Sequence, residues 1–251
     1  GTIPMAAFPD EKITEGLDGL RDRLQEYKKM GARFAKWRAV ITIGDNMPST
    51  ACIEANVQAL AHYANLCQEV DLVPVVEPEV LWNGEHSLAQ CYEVTEQTLK
   101  TLFYRFHQFD VFLEGMILKP NMVIAGTESP HQNTIDEVAD ATVNCLLSSV
   151  PAAVPAIAFL SGGQSPQEAA AHLNAIHTSH NNRLPWSVTF SFARAIQHPA
   201  LDVWKGDDTH VEEAHTLVYN RATPHPAPHP AAHSQPIEET EQKQHSREHE
   251  S

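Results

Sequence analysis

The fold is decided by the stretch Val111-Phe-Leu-Glu-Gly-Met-Ile-Leu-Lys119-Pro-Asn-Met122, an apolar run that ends in a lysine and a proline. Because Pro120 cannot donate to a β-ladder, the sequence predicts a strand that ends at Lys119. A run that is apolar on both faces is typical of a parallel strand covered on each side. We therefore expect Lys119 at the carboxyl end of a buried parallel strand.

Two interpretations of Lys119 follow from this position. A lysine at a strand end can extend its side chain to solvent, which is the commoner arrangement. A buried lysine instead loses hydration, which favours the neutral amine. A neutral amine can attack a carbonyl carbon and form a Schiff base, so the second interpretation makes Lys119 a nucleophile.

Other apolar stretches end in polar residues in the same way. They are Arg33-Phe-Ala-Lys36-Trp-Arg38-Ala-Val-Ile-Thr-Ile43, Leu72-Val-Pro-Val-Val-Glu77-Pro-Glu79, Val188-Thr-Phe-Ser191-Phe-Ala-Arg194 and Phe159-Leu-Ser161-Gly-Gly-Gln-Ser165. Period-two alternation places Lys36 and Arg38 on one face of their strand and Trp37 on the other. Glu79 shares a face with Glu77 only if their strand continues beyond Pro78.

Helical patterns separate the predicted strands. Helices are expected at 14–29, 50–67, 87–109, 134–148 and 165–177, with short helices through 221, whereas residues 1–13 are expected to form a loop. Strands joined by helices form a parallel sheet with right-handed crossovers. The sequence therefore predicts an α/β protein with five βα units.

Four motifs, taken in this order, resemble the class I fructose-bisphosphate aldolases. They are Phe34-Ala-Lys-Trp-Arg38, Val76-Glu-Pro-Glu79, Leu118-Lys-Pro-Asn-Met122 and Leu160-Ser-Gly-Gly-Gln-Ser165. The resemblance implies a (β/α)8 TIM barrel, and these five units correspond to its last five. About three strands would then precede Gly1, so we expect an incomplete barrel over residues 1–222.

Residues 223–251 differ in composition from the rest of the chain, being rich in proline, histidine and glutamate. Such a segment cannot form a packed core, so we predict a disordered tail. Its histidines could recruit a metal, although solvated disorder is the simpler interpretation; they are His225, His229, His233, His245 and His249.

The reacting groups of a parallel barrel come from the carboxyl ends of its strands. A lysine nucleophile needs a neighbouring cation or desolvation, and an acid or base to move protons. Lys36 is the candidate cation and Glu77 the candidate proton shuttle for Lys119. A structural ion pair is the alternative for Glu77, and a solvated pair is the alternative for Lys36 and Arg38.

The family resemblance implies the same roles. Lys119 would form the Schiff base, Glu77 would act as the acid and base for carbinolamine dehydration, and Lys36 would be a positioning charge. Glu79 completes the set of catalytic candidates.

The Ser161-Gly162-Gly163 segment is the candidate phosphate site, because its N–H groups and hydroxyl can form an anion-binding nest. Arg194 offers a bidentate fork to the same phosphate. A plain tight turn is the alternative, since a Ser-Gly-Gly turn alone is a weak indication. The resemblance implies that these groups bind the phosphate on the dihydroxyacetone side. The remaining substrate-binding candidates are Ser191 and, near the other phosphate, Arg38.

The sequence departs from the family pattern in several places. Ala193 stands where glycine is usual, so a positive φ there would be strained. The family uses a tyrosine at its carboxyl terminus, whereas the last tyrosine here is Tyr219. An acidic residue on the first strand and a lysine on the third would precede Gly1.

Composition bounds the possible partners and compartment. The net charge is 17 − 32 = −15, which argues against nucleic-acid binding. No apolar run approaches the roughly 18 residues of a membrane span, and no secretory signal is visible. The four cysteines show no metal-site spacing and are expected to be buried thiols. We expect a cytoplasmic protein, and the resemblance implies a sugar bisphosphate substrate, no metal or other cofactor, and a homotetramer.

Two other functions compete with a Schiff-base lyase. One is a transaldolase-like transferase, which would not explain Ser161-Gly-Gly together with Val76-Glu-Pro-Glu79. The other is a truncated, non-catalytic aldolase-like binding protein. A metal-dependent aldolase is disfavoured because no histidine cluster occurs outside the tail.

Overall fold

The computed structural model describes residues 1–222, except for the side chains of Pro9, Arg194, Ala195 and Arg221. The chain divides into two units, Gly1–Ala195 and Ile196–Ser251. The predicted tail at 223–251 lies outside the described residues, so the tail and its boundary stay predictions.

Within the described residues, strands and helices alternate after an amino-terminal pair of strands. The strands are β1 (Thr2–Met5), β2 (Phe8–Thr14), β3 (Phe34–Ile41), β4 (Val73–Val80), β5 (Ile117–Leu118), β6 (Ala156–Phe159) and β7 (Ser187–Phe190). The helices are α1 (Leu20–Lys29), α2 (Thr50–Glu69), α3 (Leu88–Gln108), α4 (Ile135–Ser149), α5 (Pro166–His180), α6 (Arg194–Trp204) and α7 (Val211–Ala222). None of the helices in this range is both long and apolar enough to cross a bilayer.

The five later strands described in the first unit form a parallel sheet in chain order, β3-β4-β5-β6-β7. This confirms the predicted α/β class and the five βα units. Helix α1 starts later than predicted, at Leu20, because Gly16 and Gly19 adopt positive φ angles of 125° and 66° and interrupt the helix.

The loop predicted at residues 1–13 is wrong, because β1 and β2 form an antiparallel hairpin there. Long-range hydrogen bonds, including the following two, hold it in place. The Thr14 hydroxyl donates to the Arg38 carbonyl at 2.6 Å. The buried Glu11 carboxylate accepts the Ser49 N–H at 2.7 Å, at the amino end of α2. Both partners are distant in sequence, so a local pattern could not reveal the hairpin.

Strand β5 is shorter than the predicted stretch, with residues 113–115 forming a 3-10 turn before it. Phe112, which the prediction placed inside the strand, is exposed. The strand ends at Leu118, one residue before the predicted end, although the Lys119 N–H still donates to the Val76 carbonyl at 2.7 Å.

Tyr63 of α2 connects the first two strands of the sheet to the helical layer. Its buried hydroxyl lies 2.6 Å from the Ala35 carbonyl and 3.3 Å from the Val75 carbonyl, on β3 and β4 respectively. Its ring packs against Trp37, with centroids 5.6 Å apart. The predicted alternation of β3 is therefore confirmed, since Trp37 faces the helices.

Replacing Tyr63 with phenylalanine removes only this hydroxyl. We expect Tyr63→Phe to lower the free energy of unfolding by about 1 kcal/mol, because the hydrogen bonding of this hydroxyl to the Ala35 and Val75 carbonyls is lost. Urea unfolding measures the change. Tyr27→Phe is the matched control at an exposed position and should stay within about 0.5 kcal/mol of the native chain. Equal effects of the two substitutions would contradict the prediction.

The four cysteines are free and buried, as expected from the sequence. Burial raises the pKa of Cys52 and Cys67 to about 11 and that of Cys145 to about 12, and it also raises the pKa of Cys91. Because the thiolate is the reactive form, buried thiols of this kind are inert at neutral pH.

We expect Ellman's reagent to leave the folded chain unmodified at pH 7.5. In guanidinium chloride all four thiols should react. Absorbance at 412 nm follows both reactions, and rapid labelling of any thiol in the folded chain would contradict the assignment.

Candidate active site

The register of β3 and β4 places the charged residues on one face of the sheet. Arg38 pairs with Glu77 and Lys36 pairs with Val75 along the parallel ladder. Because β4 continues through Pro78 to Val80, Glu77 and Glu79 share this face. The strand thus continues beyond Pro78, which was the condition for Glu79 to share a face with Glu77.

Glu77 lies between two lysines. Its Oε1 is 3.1 Å from the Nζ of Lys119, and its Oε2 is 2.6 Å from the Nζ of Lys36. The side chains of Glu77 and Lys119 are 5% and 7% exposed, whereas that of Lys36 is 42% exposed. The interpretation of Lys119 as a solvent-directed lysine is therefore wrong.

Arg38 and Glu79 form a second ion pair beside the first. The Nε of Arg38 donates to the Oε2 of Glu79, and this hydrogen bond raises the pKa of the guanidinium. Glu79 is buried, while the Arg38 side chain is about half exposed. Lys36 and Arg38 are thus partly solvated, as the alternative interpretation proposed, but each is also paired with a buried carboxylate.

Asn121 belongs to the motif Leu118–Met122, but no role was predicted for its side chain. Its Oδ1 accepts the Val80 N–H at 3.0 Å, and its Nδ2 donates to the Thr95 hydroxyl at 3.2 Å. Pro120 has no N–H with which to extend the ladder, so the amide links β4 to the segment after Lys119. The signal in the sequence for this link was an asparagine directly after the proline that ends the strand.

The Ser161-Gly162-Gly163 turn follows β6, at the same end of the sheet. Gly162 and Gly163 adopt φ angles of 53° and 78°, and the Gln164 N–H closes the turn onto the Ser161 carbonyl at 3.0 Å. Within residues 1–222 the N–H groups of the two glycines make no hydrogen bond. They are therefore available to an anion, as the nest interpretation requires.

Gln164 supports this turn from within the protein. Its Nε2 donates to the Ser161 carbonyl at 2.8 Å, and its Oε1 lies 2.5 Å from the Nδ1 of His172. Burial lowers the pKa of His172, so the neutral imidazole can donate from Nδ1 to the amide oxygen. Neither supporting role was predicted, although Gln164 stands in the quoted motif.

The sheet brings this turn next to Lys119. Strand β6 is the neighbour of β5, and the Leu160 N–H donates to the Pro120 carbonyl at 3.1 Å. On the next strand, the Ser191 N–H donates to the Phe159 carbonyl at 2.8 Å. The structure thus places the lysine, the turn and Ser191 at the carboxyl ends of three adjacent strands.

Arg194 differs from its expected location. Strand β7 ends at Phe190, so Arg194 is the first residue of α6 and not a strand-end residue. Its side chain lies outside the described part of the structure. Ala193, at the position where strain was considered, has no positive φ angle.

Among the described residues, no group of three or more histidine, cysteine, aspartate or glutamate side chains is arranged to hold a metal ion.

Known proteins resemble the chain over most of its length. A probable fructose-bisphosphate aldolase class 1 from Xylella fastidiosa is 55% identical over 223 residues, which are 88% of this chain and 66% of the relative. The cytosolic fructose-bisphosphate aldolase 4 of Arabidopsis thaliana is 47% identical over 222 residues, 88% of this chain and 56% of that relative. The chain therefore spans at most about two thirds of these relatives.

A solved structure of the fructose-bisphosphate aldolase from Plasmodium falciparum matches with a TM-score of 0.84 and 43% identity. The match covers 88% of this chain and 64% of that one. It confirms the TIM-barrel family, with the barrel incomplete in residues 1–222. The sequence model of the class I fructose-bisphosphate aldolase family also matches residues 1–250, so the chain belongs to that family.

Proposed function

We propose that this chain carries the Schiff-base chemistry of a class I aldolase. The reaction is the reversible cleavage of fructose 1,6-bisphosphate to dihydroxyacetone phosphate and glyceraldehyde 3-phosphate. The observation that carries the proposal is the Glu77 carboxylate held between Lys119 and Lys36 at a strand end. Family membership supports the same reaction.

Lys119 is the nucleophile in this mechanism. The neutral amine forms when Nζ passes a proton to Oε1 of Glu77, 3.1 Å away. The amine attacks the C2 carbonyl of the sugar and gives a carbinolamine. Protonated Glu77 then returns its proton to the departing hydroxyl, so that water leaves and an iminium ion remains.

The iminium ion makes cleavage of the C3–C4 bond possible. The C4 hydroxyl gives its proton to the Glu77 carboxylate, which dehydration has left unprotonated, and the electrons of the breaking bond move onto the iminium nitrogen. Glyceraldehyde 3-phosphate leaves, and an enamine of dihydroxyacetone phosphate remains on Lys119. Protonation of this enamine and hydrolysis of the resulting iminium ion release the second product and restore the lysine.

The local charge suits an anionic substrate. Two lysines around one carboxylate give this cluster a formal charge of 2 − 1 = +1, within a chain of net charge −15. Partly exposed Lys36 and Arg38 present this charge to solvent. An anion is therefore attracted to this part of an otherwise acidic protein.

The phosphate on the dihydroxyacetone side is assigned to the turn after β6. The free N–H groups of Gly162 and Gly163 act together with the hydroxyls of Ser161 and Ser191. Arg194 follows at the start of α6 and completes the proposed set. Arg38 is assigned to the other phosphate, with Glu79 holding its guanidinium.

The proposal extends to assembly and compartment. The family resemblance supports a homotetramer. The Arabidopsis relative is described as cytosolic, which supports a cytoplasmic location for this chain. The net charge of −15 supports the absence of a nucleic-acid partner.

A second candidate is a non-catalytic aldolase-like binding protein. The chain spans 66% of the length of the Xylella relative, so catalytic activity has to be tested on this chain itself. An aldolase assay of the purified chain in the presence of EDTA separates the candidates. Cleavage that survives EDTA supports the Schiff-base enzyme, whereas loss of cleavage with EDTA indicates a metal-dependent reaction. Absence of cleavage without EDTA favours the binding protein.

Borohydride trapping tests the nucleophile. Reduction in the presence of dihydroxyacetone phosphate should attach the substrate carbon chain to Lys119, as located by peptide mass spectrometry. Lys119→Met should abolish the label, because no amine remains at the strand end. Lys29→Met, at an exposed position, should leave it unchanged. Label on a different lysine of the native chain would refute the assignment.

Glu77→Gln tests the proton shuttle, because the amide keeps the shape but cannot exchange a proton. We expect kcat to fall by about a hundredfold or more, the usual scale for a general acid or base. Stopped-flow kinetics of iminium formation should show the same loss. Glu85→Gln, in the exposed loop after β4, is the control and should retain activity. Normal turnover in Glu77→Gln would remove Glu77 from the mechanism.

A further inference from the structure

The indole of Trp82 lies directly against the Ser161-Gly162-Gly163 turn. A Cβ atom on Gly163 would be 2.7 Å from the Cε3 of Trp82 and closer still to Cδ2 and Cε2. The ring therefore packs on the α-carbon of Gly163, which only a glycine permits. Trp82 follows β4 and the turn follows β6, so the side chain reaches across the end of β5, where Lys119 lies.

The backbone around Trp82 is held by the loop that follows β5. The Thr127 N–H donates to the Trp82 carbonyl at 3.0 Å, and the Glu128 N–H donates to the Gly84 carbonyl at 2.9 Å. The Gly126 N–H donates to the His86 carbonyl at 2.8 Å in the same region. Three backbone hydrogen bonds thus fix this loop, and with it the point from which the indole extends.

The indole has an available hydrogen-bond donor beside the turn. Nε1 is bonded to Cε2, one of the atoms in contact with Gly163. In the part of the chain that the structure describes, this N–H has no hydrogen-bond acceptor, and the ring is only partly buried. An anion bound to the N–H groups of Gly162 and Gly163 would lie next to a further donor.

We infer that Trp82 is an additional phosphate-binding residue, which donates its indole N–H to the phosphate held by the Gly162-Gly163 turn. This inference rests on the proposed phosphate-binding role of that turn. The ring also forms a wall on one side of the turn, which keeps the two glycines in the conformation that directs their N–H groups toward the anion. Trp82 therefore favours ligands that carry a phosphate over those that do not.

A pair of ligands isolates the phosphate contribution. Dihydroxyacetone and dihydroxyacetone phosphate share the carbonyl that reacts with Lys119 and differ only in the phosphate group. Borohydride trapping at increasing concentrations gives the concentration of each ligand that labels half of the chain. Trp82→Phe is the test variant, because phenylalanine keeps an aromatic wall but has no N–H donor.

We expect Trp82→Phe to raise the half-labelling concentration for dihydroxyacetone phosphate about tenfold, the scale of a lost hydrogen bond to a charged group. The value for dihydroxyacetone should not change. An unchanged value for the phosphorylated ligand would overturn the inference. Equal increases for both ligands would overturn it too, because they would indicate a general disturbance of the site.

Tryptophan fluorescence provides a second measurement that does not depend on the reaction. Titration of the native chain with inorganic phosphate should change its emission, and Trp82→Phe should abolish the change. Trp204→Phe, in the second unit, should preserve it. A change that persists in Trp82→Phe, or no change in the native chain, would contradict the inference.

The two measurements separate the inference from the proposed function. If neither ligand labels Lys119 in the native chain, the Schiff-base proposal fails. The phosphate titration then decides the role of Trp82 independently.

Discussion

The arrangement of the site depends on one carboxylate shared by two lysines. Glu77 is buried, so its charge must be balanced by groups inside the protein. Lys119 and Lys36 provide this balance from the strands on either side of β4. Removing either partner would leave a less balanced buried charge, so the same contacts that orient the groups of the proposed mechanism also stabilise the centre of the sheet.

The geometry of the strand ends follows from the proline after the lysine. Pro120 stops the ladder between β4 and β5, because it has no N–H with which to continue the pairing. The buried amide of Asn121 then restores one hydrogen bond, to the Val80 N–H at 3.0 Å. The segment after Lys119 is therefore tied to β4 again just beyond the point where the ladder ends.

Much of this could be predicted from the sequence, because period-two alternation is a local property and helices between consecutive strands imply a parallel sheet. Lys36, Glu77 and Lys119 meet as expected once β3, β4 and β5 lie side by side. The amino-terminal hairpin was missed, since Glu11 and Thr14 are stabilised by residues far along the chain.

Contacts between loops could not be predicted from the sequence either. The approach of Trp82 to Gly163 depends on the spacing of two strands and on the path of the loop after each one. A glycine pair indicates a turn, but it does not reveal which side chain packs against it. The length of strand β5 was overestimated for a related reason. An apolar run indicates that residues are buried, but it does not show which of them pair with a neighbouring strand.

The exposures of the side chains indicate the direction from which the proposed substrate would arrive. The side chain of Lys36 on β3 is 42% exposed and that of Lys119, directly after β5, is 7% exposed. In the proposed mechanism an incoming anion therefore meets Lys36 and Arg38 before it reaches Lys119. Since exposed charges attract over a distance and buried ones act only at contact, the partly solvated pair suits capture. The buried pair of Glu77 and Lys119, shielded from water, suits proton transfer.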